Sequence, residues 1–92
     1  MSLEHDLASQ ASRLGKILLK GDDSEILGCA DEILLFLNQL QGFVQQNPKS
    51  KIILPSMSDI VYGLESNPES TLQDNNIYAR LLVFFMKVAH QF

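Results

Sequence analysis

From Ile77 to Phe92 only Arg80, Lys87, His90 and Gln91 are plainly polar, and the run Leu81-Leu82-Val83-Phe84-Phe85-Met86 points in every direction around a helix axis. A helix with no polar face has to be surrounded by other elements. A second long segment sets its seam at Ile26, Ala30, Ile33, Leu37, Leu40 and Val44, spaced four, three, four, three, four, a heptad pattern held for nearly three repeats. Leu27 and Leu34 widen the seam on one shoulder, and Cys29, Phe36 and Phe43 widen it on the other. Asp31, Glu32, Asn38, Gln39, Gln45 and Gln46 are left as the wet face.

The remaining chain follows the same period. Leu3, Leu7, Ala11, Leu14 and Leu18 make one stripe of a first helix over Ser2 to Lys20, with Lys16 and Lys20 in its last turns and Gly21 as a left-handed stop. The acidic run Asp22-Asp23-Ser24-Glu25 caps the second helix, which begins near Asp23 and ends at Asn47-Pro48. Lys49 to Pro55, with Ile52, Ile53 and Leu54 between two prolines, reads either as a hydrophobic linker or as a single helical turn. Ser56-Met57-Ser58-Asp59 reads as a capping box for a short third helix lined by Met57, Ile60, Val61 and Leu64 and closed by Asn67-Pro68. The polar stretch from Pro68 to Asn76 reads as a loop or a frayed turn, and the fourth helix runs from about Asn75 to the C-terminus. Residues 1–92 therefore form a single all-α domain, a small four-helix bundle whose third helix is short. Gly15, Gly28, Gly42 and Gly63 all fall inside these helices. Two readings fit them, close approach by another backbone or exposed sites on an unselected face.

Charge and chemistry narrow the function. Seven Lys and Arg against eleven Asp and Glu give a net charge of −4. Nucleic acid is disfavoured because phosphate neutralisation needs clustered cations; the third and fourth helices drawn as a helix-turn-helix would carry Glu69 and Asp74 toward the phosphates. Membrane binding is disfavoured too, since the fourth helix joins its apolar face to only two cations and no apolar run is long enough to span a bilayer. The polar, acidic start Met1 to Asp6 does not resemble a secretory signal, so a cytoplasmic location is expected. Cys29 is the only cysteine and reads as a small hydrophobe. Glu4, His5 and Asp6 point about 100° apart on successive helix positions and cannot converge on one metal ion. Nothing supplies an oxyanion hole or an orienting group for a dyad of Cys29 with His5 or His90. No catalytic, cofactor-binding or metal-binding residue is assigned.

Four helices cannot easily enclose two of their own number, and an uncovered excess would exceed the few hundred Å² of apolar patch usual on monomers. The expectation is a homodimer, or pairing with a partner helix. The interface is placed at Phe36, Leu40, Phe43, Leu81, Phe84, Phe85, Val88 and Phe92. The matching function is a non-enzymatic interaction protein, a small regulator, adaptor or chaperone-like subunit. The alternative is a small-ligand binder or enzyme with an apolar pocket between helices, using Cys29, Tyr62, Tyr78 or His90 as polar handles.

Overall fold

The computed structural model describes residues 3–47, 49 and 57–91. These residues are all-α, with no strand among them: α1 Leu3–Lys20, α2 Asp23–Gly28, α3 Ala30–Gln46, α4 Ser58–Ser66, α5 Pro68–Gln73 and α6 Asn75–Gln91. Apart from Lys49, the Lys49 to Pro55 stretch lies outside the described residues, as do Ser56 of the expected capping box and Phe92.

The longest contact in the fold joins α1 to α6. Gly15 sits beside Phe85, and the Tyr78 hydroxyl donates to the Leu18 carbonyl, so the two helices run antiparallel. The expected stripe of α1 is buried at Leu7, Ala11, Leu14 and Leu18, and α6 meets it with Leu81, Phe84, Phe85 and Val88. From the other side α3 closes the core with Ile33, Phe36, Leu37, Leu40 and Phe43. The Phe36 ring packs edge-on to Phe85 with centroids 5.4 Å apart, the geometry aromatic quadrupoles favour. At the surface Arg13 of α1 pairs with Glu32 of α3, and Arg80 of α6 holds the Asp59 carboxylate of α4 through two hydrogen bonds of 2.7 and 3.2 Å.

Three local features depart from the sequence reading. The second helix breaks at Cys29, where the backbone amide bonds back to the Ile26 carbonyl three residues earlier; the Cys29 carbonyl then accepts from Ile33 and starts α3. Gly28 has one of the weakest helix propensities, and the break lets α2 turn toward α5 with Ile26 buried.

The stretch after Asn67-Pro68 is a helix rather than a loop. The Asn67 side chain accepts from the Ser70 amide, Pro68 occupies a first-turn position that needs no donor, and the Thr71 hydroxyl donates to the Asn67 carbonyl. Asn-Pro thus ends α4 and starts α5, burying Thr71 and Leu72. Asp74 then caps α6, its Oδ1 accepting from the Asn76 and Ile77 amides at 2.9 and 3.1 Å.

The third departure is Gly21, because no described glycine has positive φ. Gly21 is required for space instead: a Cβ there would stand 2.6 Å from the Ile17 carbonyl oxygen.

Close approach occurs at Gly63, where a Cβ would lie 2.5 Å from Thr71 Oγ1 and 3.0 Å from its Cγ2. Gly28 and Gly42 face open space. Gly42→Ala is therefore expected to stabilise the protein by about 0.5–1 kcal/mol through helix propensity. Gly63→Ala should cost about 1–3 kcal/mol, because the hydrogen-bonded Thr71 has to move aside. Urea unfolding of both variants checks the opposite signs.

The Arg80 guanidinium, bonded to the Asp59 carboxylate, holds that carboxyl below its ordinary value of 3.8. A depressed carboxyl stabilises the fold above its unfolded value and stops doing so as pH falls through the folded one. Both partners are exposed, so the effect is small. Asp59→Asn should melt slightly below wild type at neutral pH, and the two melting temperatures should converge as pH falls below the lowered value of the Asp59 carboxyl.

Candidate interaction surfaces

Of the eight residues expected at a helix junction, seven are core residues of the single chain. Phe36, Leu40, Phe43, Leu81, Phe84, Phe85 and Val88 are between 0% and 7% exposed, while Phe92 lies outside the described residues. The same core takes in Ile60 and Leu64 of the short α4 and Leu72 of the short α5. Among the described residues the exposed large apolar side chains are other ones, namely Leu19, Leu27, Leu35, Tyr62, Val83 and Met86.

Two of these places have local structure. The outward side of α6 carries Ala79, Val83, Met86 and His90 at steps of four, three and four, all exposed, with Val83 and Met86 just over half open to solvent. Since Leu81, Phe84, Phe85 and Val88 fill the inward side, α6 is apolar on opposite faces, and its own chain covers one of them. The second place is a groove of about 580 Å³ where four helices end or begin. Leu18, Leu19 and Gly21 come from the end of α1 and the turn after it, and Asp23, Ser24, Ile26 and Leu27 from α2. Glu69, Leu72 and Gln73 of α5 and Asn75 and Tyr78 of α6 complete it. Its lining mixes leucines and an isoleucine with polar and acidic side chains, and no cation lines it among the described residues.

The four polar handles proposed for a ligand pocket do not converge. Only Tyr78 lines the groove, and its hydroxyl is spent on the Leu18 carbonyl. Cys29 is half-buried at the break between α2 and α3, Tyr62 is exposed on α4, and His90 is exposed near the end of α6. Among the described residues no three His, Cys, Asp or Glu side chains gather in a metal-binding group, and no helix is long and apolar enough to cross a membrane. The groove exists because α5 exists. Asn at a cap followed by Pro at the first helical position, with Leu72 four residues on, was the signal for that helix in the sequence.

No family model, no curated protein and no solved structure matches the chain.

Phe85 distinguishes a core role from an interface role. At 0% exposure beside Phe36 and Gly15, Phe85→Ala should lower unfolding free energy by about 3–5 kcal/mol at any protein concentration. A loss that grew on dilution would assign the ring to a junction between chains.

Proposed function

We propose that the protein is a non-enzymatic interaction module of the cytoplasm, a small regulator, adaptor or chaperone-like subunit that pairs an apolar helix face with a helix of another molecule. The observation that carries this reading is the outward stripe Ala79, Val83 and Met86 on a helix whose opposite face is already buried. Water against that stripe forfeits part of the roughly 1.5–3 kcal/mol that full burial of each large apolar side chain supplies. A second copy of the chain is the first candidate, because antiparallel pairing of two α6 helices would cover both stripes with one symmetric contact. Two half-exposed side chains per chain fall short of the about 800 Å² per partner of a standard interface. The pairing is accordingly weak and concentration-dependent, drawing in the flanking Lys87 and His90.

The groove supports the other reading, a small-ligand binder, and thermal shift against a metabolite panel separates the two. A ligand-dependent rise in melting temperature favours the binder, and indifference favours the interaction module.

Sedimentation velocity over a concentration series tests the pairing. Wild type should show a rising average mass toward about 100 µM, in keeping with a small transient interface. The Val83→Asp/Met86→Asp variant should keep its helical circular dichroism and sediment as one chain throughout. A wild type that stays at the mass of one chain across the series removes self-association through α6.

A further inference from the structure

We propose that the groove between α1, α2, α5 and α6 docks a basic amphipathic segment of a partner protein. Apolar anchors of that segment sit on Leu19, Ile26, Leu27 and Leu72, and its Lys or Arg side chains lie beside Asp23 and Glu69. This rests on the interaction-module reading and adds a partner chemistry at a surface distinct from the outer face of α6.

Shape favours a chain segment over a small molecule. Drug-sized ligands are held by burying about 70–90% of their surface. This depression is open to solvent, and Leu19 and Leu27 of its lining are both exposed. A helix or turn supplies its own cover on the open side, so the exposed leucines gain contacts that a ligand lying on the floor cannot give.

Charge selects the kind of segment. The chain segments 18–27 and 69–78 that form the groove hold five carboxylates, Asp22, Asp23, Glu25, Glu69 and Asp74, against the single cation Lys20. Two of the five are engaged within the chain: Asp22 accepts from the Glu25 amide, and Asp74 from the Asn76 and Ile77 amides. Their charge already meets the positive amide ends of α2 and α6. Asp23 and Glu69 line the groove itself and have no ion-pair partner among the described residues. An acidic partner would be repelled, and an uncharged apolar one would offer neither carboxylate an ionic partner.

The test is a titration of the isotope-labelled full chain, followed by amide chemical shifts, with a Leu/Lys helical peptide of about four turns. A Leu/Glu peptide of the same pattern and a shuffled Leu/Lys peptide without an apolar face serve as controls. Shifts are expected at the end of α1, in α2 and α5 and in the first turns of α6, for the Leu/Lys peptide alone, with affinity falling about tenfold from low salt to about 0.3 M. Asp23→Asn/Glu69→Gln should weaken binding about three- to tenfold and flatten its salt dependence, while Leu27→Ser should weaken it without that flattening. Each variant is checked for unchanged helicity. Absence of binding, equal binding of either control, or shifts confined to the outer face of α6 overturns the proposal. If the groove stays silent while Val83→Asp/Met86→Asp still abolishes association, the docking inference fails and the interaction reading stands; if both fail, the reading itself falls.

Discussion

Everything in this fold leans on the antiparallel contact of α1 with α6. It is close at Gly15, where a Cβ would lie 3.5 Å from that of Phe85. Phe85 is thereby driven into the centre, where Phe36 of α3 meets it edge-on and Phe84 stands beside it with centroids 6.0 Å apart. Aromatic rings bury more area per residue than any aliphatic side chain, so three of them at one crossing set the position of three helices. Two polar contacts reinforce this crossing: Arg80 ties α6 to the start of α4, and Tyr78 ties it to the end of α1.

The sequence exposed the period of the helices more readily than their ends. Stripes such as Leu7, Ala11, Leu14 and Leu18 are legible because a 3.6-residue repeat is a property of many side chains together. Breaks depend on single residues. At Cys29 a heptad seam continues across a helix end, because Ile26 packs from α2 and Ile33 from α3 and both are buried, so the apolar pattern carries no trace of the bend. At Asn67-Pro68 the converse holds. Polar residues from Glu69 to Asn75 hide a helix that is held by its cap, by its proline and by Thr71 and Leu72.

The expected interface shows the limit of counting helices. Four helices offer few elements to enclose Phe36, Phe43 and Phe84, so their count points to a partner, yet all three rings are buried within the chain, where α4 packs on α3 and brings Ile60 and Leu64 into the same core. What then remains outside is decided by helix geometry. A helix in contact on one side leaves residues about half a turn away in solvent, and in the continuously apolar stretch of α6 those are Val83 and Met86.

The short helices that complete the core also create the unevenness of the surface. A bundle of long parallel-sided helices ends in loops, whose backbone needs water. Here α2 and α5 lie across the ends of α1 and α6, so apolar side chains, Leu19 and Leu27 among them, surround a depression where a simpler bundle would have polar connections. The side chains that cap α2 and α6 are both aspartates, so Asp22 and Asp74 bring negative charge to that end while satisfying the first amides of each helix. Asp23 and Glu69 are different. Each adds to a first turn that a capping side chain already serves, Asp22 for α2 and Asn67 for α5, so an uncharged residue there would forfeit only a dipole interaction of about 0.3–1 kcal/mol. Their carboxylates favour the first turns in which they stand and at the same time line the groove, so one pair of charges serves the helix starts and shapes the surface beside them.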